Sequence, residues 1–169
     1  MKKILTLFAV VGLIAFTSCS DDDNDNVDYD TIGAVYENMA PNYYNFVSPN
    51  YSVRFNFPQP IVESDVVLVY RYDGVDDANQ PVWQALPETY FLSDGSRDFS
   101  FKYVFTRNYV NIYLDGNNRS TISADYRLEQ ILRIVVVPAD FVSSVNKESY
   151  LDVTSKLNIK ENQVQKINF

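Results

Sequence analysis

Two stretches of this chain alternate in polarity with a period of two. Residues 51–57 set Tyr51, Val53, Phe55 and Phe57 on one side and Ser52, Arg54 and Asn56 on the other. Residues 99–105 set Phe99, Phe101, Tyr103 and Phe105 against Ser100 and Lys102. Successive side chains of a strand point to opposite faces, so each run suits a strand with one face buried and one face wet. A helix would spread the same residues around its circumference. Two further runs are apolar on both sides. One is Val66, Val67, Leu68, Val69 and Tyr70, within residues 65–72, and the other covers residues 131–137. Strands of that kind are expected at the centre of a sheet, covered on both faces.

The remaining segments fit the same scheme. A first strand is expected over residues 31–37, ended by Ala40-Pro41-Asn42. Short strands are expected over 82–86, carrying Trp83, and over 90–92 after Pro87. Residues 109–114 form another, with Val110, Ile112 and Leu114 inward. Pro58 and Pro60, Asp73-Gly74, Ser93-Asp94-Gly95, Asp115-Gly116-Asn117-Asn118 and Pro138 supply the breaks. The period changes after Phe141. Ser149 and Asp152 have capping-box spacing, and Tyr150, Val153 and Leu157 share one face of a short helix. Val164, Ile167 and Phe169 are expected to dock the C-terminus. Many short strands spaced by turns predict a mainly β, immunoglobulin-like antiparallel β-sandwich with a short C-terminal helix; a small β-barrel is the alternative.

Several chemistries are excluded by composition. The chain has no histidine and one cysteine. That removes Ser-His-Asp and Cys-His catalysis, His-ligated zinc and any disulfide. Of 14 basic and 22 acidic residues, two bases and six acids fall within residues 1–30. The remainder therefore carries 12 against 16, a net of −4, which argues against nucleic acid and anionic lipid as partners.

The N-terminus reads as an address. Lys2 and Lys3 precede an apolar run over residues 4–16, too short to span a bilayer, which needs about 20 apolar residues, and suited to a signal peptide. Thr17, Ser18 and Cys19 follow, and the stretch resembles a bacterial lipobox, with Phe16 in place of the usual leucine. The resemblance implies that Cys19 is acylated. Residues 1–18 are then a lipoprotein signal peptide. Residues 19–30 are the acylated Cys and an acidic flexible spacer, which cannot bury enough apolar surface to fold. Residues 31–169 form a single domain. The run with Asp21, Asp22, Asp23 and Asp25 resembles the export signal that lipoproteins of the phylum Bacteroidota place after the acylated Cys. Asp30-Thr31-Ile32 resembles the O-glycosylation sequon of the same phylum, with Thr31 as acceptor.

Three segments extend the resemblance: residues 64–70, residues 82–87, and Leu132-Arg133-Ile134-Val135-Val136-Val137-Pro138-Ala139-Asp140-Phe141. Together with the C-terminal helix they are similar to a family of small, uncharacterised Bacteroidota surface lipoproteins. The similarity implies fold and an outer-membrane, outward-facing location, and it implies no activity.

Candidate sites are few. Tyr43, Tyr44 and Tyr109 could contact a ligand if exposed, and Trp83 could stack on a sugar or fill the core between the sheets. Asp73, Asp76, Asp77 and Asn79 place oxygen ligands in one loop, as Ca²⁺ requires, without the spacing of an EF-hand; a solvated loop is the simpler reading. Glu63, Glu88 and Glu129 carry no diagnostic context for carboxylate catalysis. No catalytic residue and no cofactor are assigned. The expected function is a non-enzymatic, lipid-anchored surface module that binds a protein partner through open sheet edges and Tyr-rich loops; a glycan-binding module is the alternative.

Overall fold

In the computed structural model, residues 33–167 are described. Cys19, the acidic run, Thr31 and Phe169 lie outside them.

Among the described residues, nine strands form two sheets: β1 Ala34–Asn38, β2 Ser52–Asn56, β3 Val66–Val75, β4 Pro81–Ala85, β5 Glu88–Phe91, β6 Arg97–Phe105, β7 Tyr109–Gly116, β8 Leu132–Val137 and β9 Gln165–Ile167. The first sheet has the order β4-β3-β8-β1-β9 and the second β2-β7-β6-β5. All pairs are antiparallel except β1 with β9. The architecture is a β-sandwich, and neither sheet closes into a barrel. Two short helices accompany it, α1 Ala124–Arg127 and α2 Tyr150–Lys156.

The two doubly apolar runs become β3 and β8, neighbours inside the first sheet. On one face, Val67, Val69, Leu132, Ile134 and Val136 meet Phe55, Phe101, Val110, Ile112 and Leu114 of the second sheet. On the other, Leu68, Tyr70, Val135 and Val137 join Tyr150 and Val153 of α2. The fold therefore has three layers, helix on sheet on sheet. Fully burying side chains of this size is worth about 1.5–3 kcal/mol each, and β8 is buried at all six positions.

The helix signal is met in half. Ser149 Oγ accepts from the Asp152 amide, but the Asp152 carboxylate turns away and accepts from the Asn146 amide at 2.7 Å. The Tyr70 hydroxyl donates to the Lys147 carbonyl and pins the loop that carries the helix.

Trp83 is half-buried, and it does not lie between the sheets. It packs on the helix-covered face of the first sheet, against Tyr72 and Tyr150, with the Arg133 guanidinium 4.1 Å from its ring centroid. Phe105 was expected on a buried face and is 40% exposed. It lies past the end of the neighbouring strand β5, where β6 has no paired strand on that side among the described residues.

Two buried arginines bind the layers. Arg133, on β8, pairs with Glu37 of β1 and with Glu161; Glu37 also receives Lys166 of β9 at 2.8 Å. Arg71, on β3, faces the second sheet and reaches Glu88 of β5 at 3.0 Å, linking the sheets at one end.

Candidate functional site

Two surface features stand out. The first is the open half of β6. Strand β5 pairs with β6 only from Glu88 opposite Phe101 to Phe91 opposite Arg97. Continuing the register would set Leu86 opposite Tyr103, but the Leu86 amide donates to the Val69 carbonyl of β3 at 2.9 Å, so the chain leaves the ladder there. Residues 102–105 thus have β7 on one side and no paired strand among the described residues on the other. The Thr106 amide donates to the Tyr109 carbonyl. By ladder alternation, the backbone groups of Lys102 and Val104 then face β7, and those of Tyr103 and Phe105 face the open side. A groove of about 600 Å³ follows this edge, lined by Pro87, Lys102, Tyr103, Val104, Phe105 and Tyr113. Val104 and Phe105 are exposed.

The charged rim of this edge is organised. Asp115 Oδ2 accepts from Lys102 Nζ at 2.5 Å and from Arg97 Nη1 at 2.9 Å. Those two cations hold its carboxyl below the usual carboxylate range, Lys102 first and Arg97 second. The Arg54 guanidinium lies 4.0 Å over the Tyr109 ring on the same outer face.

The second feature is a cleft of about 690 Å³ at one end of the sandwich. Arg71 and Asp73 from β3 form one wall. Asp125, Tyr126, Glu129 and Gln130 from the segment around α1 form the other, with Asn45 at the rim. Arg71 is held by Glu88, by Asp73 at 2.7 Å and by the Tyr90 hydroxyl at 2.8 Å. Burial alone would lower its proton affinity, yet the hydrogen bonds to Glu88 and Asp73 carry it above the ordinary arginine value. The Tyr90 hydroxyl is pushed up by burial and by its bond to Glu88.

The structure separates the residues named from sequence. Tyr44 is buried between the sheets and exchanges backbone hydrogen bonds with Gln130. Tyr43 is half-buried in the preceding loop. Tyr109 lies on the outer face of the second sheet. Tyr44 and Tyr109 therefore cannot form one stacking platform. In the 73–79 loop, Asp73 serves Arg71, and Asp76 Oδ1 accepts from the amides of Ala78 and Gln80. Asp77 is exposed. Among the described residues no three carboxylates, histidines or cysteines converge as metal ligands.

Glu63 is exposed and apart from the cleft, Glu88 is the inter-sheet partner of Arg71, and Glu129 lies on the cleft wall. Asp73, Asp125 and Glu129 thus share one concavity. Asp73 is neutralised by Arg71, and Asp125 accepts from the Ser123 hydroxyl.

Sequence reading missed Arg71 and Gln130. A cation directly after the apolar run 66–70 was the available signal for Arg71, since a charge there must find a partner. Gln130 had none.

Comparison with protein-family models, with curated proteins and with solved structures gives no match to this chain.

Proposed function

We propose that this protein is a non-enzymatic, lipid-anchored outer-membrane module, facing outward, whose sandwich binds another protein by strand addition. The observation that carries the reading is the open half of β6. Tyr103 and Phe105 present edge-directed backbone groups beside an apolar groove, and Leu86, which would continue the ladder opposite Tyr103, bonds to β3 instead. Such an edge accepts an extended peptide through main-chain hydrogen bonds, with side-chain pockets supplying selectivity. An exposed edge left without a partner invites aggregation, so its retention suits a binding role. The lipobox-like Cys19 and the acidic spacer would anchor the domain and hold it away from the bilayer; two or more acyl chains suffice for stable attachment.

A photo-crosslinking residue at position 104 tests this in intact membranes. A discrete adduct at 104, absent when the same residue replaces the exposed Leu151 of α2, supports the reading. No adduct at 104, or an equal one at 151, refutes it.

A further inference from the structure

We propose a second, independent site: the cleft between Arg71 and Gln130 binds a neutral, polyhydroxylated ligand, a short saccharide. Each wall of the cleft holds one buried side chain whose hydrogen-bonding capacity the protein does not use up.

Gln130 is 6% exposed. Its amide nitrogen donates to the carbonyls of Asp125 and Leu128, at 2.8 and 2.7 Å. Two carbonyl partners fix the orientation of the amide, because only its NH₂ can serve both. Its Oε1 accepts no hydrogen bond from the described residues, and it is not among the sealed, unsatisfied atoms, so it keeps contact with solvent. Gln130 lines the cleft.

Arg71 is 4% exposed. A guanidinium has five N–H groups. Nε goes to Glu88, and Nη2 is shared by Asp73, Glu88 and Tyr90. Nη1 gives one hydrogen to the Tyr72 carbonyl at 3.1 Å, and its second finds no acceptor among the described residues.

A ligand that bridges the two walls must donate to Gln130 Oε1 and accept from Arg71 Nη1. At the rim, the exposed Asp125 and Glu129 call for further donors. An ammonium group donates but cannot accept. An anion would accept from Arg71 and be repelled by the acidic rim. Hydroxyl groups on a neutral scaffold do both. Tyr126 lines the cleft, adding ring surface for the apolar face of a sugar. The volume lies within the range of about 300–1,000 Å³ typical of small-molecule sites.

The experiment uses the full-length protein in detergent. An array of neutral oligosaccharides is screened first. Hits are titrated by isothermal calorimetry. Asp125→Asn and Glu129→Asn are made together; both positions are exposed, and Asn tolerates the left-handed backbone of residue 129. The expected result is at least one neutral oligosaccharide whose affinity falls tenfold or more in the double variant, with an unchanged melting temperature. An array without a binder overturns the proposal. Binding that the double variant leaves intact does so too, as does a polyamine, spermidine, that binds where no saccharide does. The edge of β6 is untouched by these variants, so either site can fail alone.

Discussion

Replacing Arg133 with alanine should cost more than any other single charge change in the domain. Arg133 lies at the centre of the first sheet with its side chain 5% exposed, and it reaches Glu37 and Glu161. Its guanidinium stacks 4.1 Å from the Trp83 centroid and 4.7 Å from that of Tyr150. Breaking a buried pair costs about 3–5 kcal/mol, chiefly by stranding the other charge. Glu37 is not stranded, because Lys166 remains at 2.8 Å, and Glu161 is exposed enough to hydrate. The low end applies, with lost stacking adding about 1 kcal/mol. A loss of about 3–4 kcal/mol is a large share of the 5–15 kcal/mol that ordinarily holds a domain. With a urea slope of about 2 kcal/mol per molar, the midpoint falls by about 1.5–2 M. Trp83 emission and far-UV circular dichroism follow the transition, and Trp83 should also change its native-state emission as the cation leaves its face. A loss below about 1 kcal/mol would refute the reasoning and show the cluster to be no more than a surface network.

Asp65 is buried with Oδ1 unpartnered, and burial raises its carboxyl above the usual range despite amide hydrogen bonds from Val62 and Ala139. Its native state therefore binds a proton more tightly than the unfolded chain, so stability is greatest below the unfolded value and falls as pH rises through the folded one. Asp65→Asn should accordingly stabilise at pH 7 by about 1 kcal/mol, a gain that fades by pH 3.5 in thermal melts. Asp115 has the opposite sign. Its stabilisation by Lys102 and Arg97 is present above the ordinary carboxylate range and is lost as pH falls through the depressed value. Because that cluster is solvent-exposed, Asp115→Asn should cost under about 1 kcal/mol and nothing measurable in 0.5 M salt. Cys19→Ala should release the protein from membranes with an unchanged melting temperature, and sedimentation after a carbonate wash reads the outcome. Replacing Asp21, Asp22 and Asp23 with alanine should keep it on the membrane and remove cleavage by protease added to intact cells; cleavage equal to wild type would make the acidic run a plain spacer.

Period-two patterning was enough to place most of the strands, because burial of one face leaves a direct mark on composition. Phe99 and Phe101, and Val110, Ile112 and Leu114, lie inward as alternation requires. The doubly apolar runs reported a covered outer face, but not what covers it. The short helix was legible from its capping spacing and its apolar face, but nothing in that pattern says which sheet face it covers, so the position of Trp83 was hidden. Ser100 shows a second limit. Alternation assigns it to solvent, yet it is 1% exposed, since Thr89 and Arg97 close over its hydroxyl. Phe105 shows a third: its exposure depends on where a different strand ends. The cleft was illegible for the same reason, being assembled from β3 and a segment about 55 residues later.

The position of β1 has a mechanical consequence. The chain that precedes Gly33 enters the domain through this strand, which is flanked on both sides, by β8 antiparallel and by β9 parallel. Sheet hydrogen bonds run across the strand axis. If the chain is anchored through Cys19 as proposed, a pull from that side along β1 loads the bonds to both neighbours together, in shear, instead of opening them one after another. Lys166 to Glu37 and Arg133 to Glu37 clamp the same strand from both sides. Under such a load β1 would resist peeling, because both ladders must fail together before it is released.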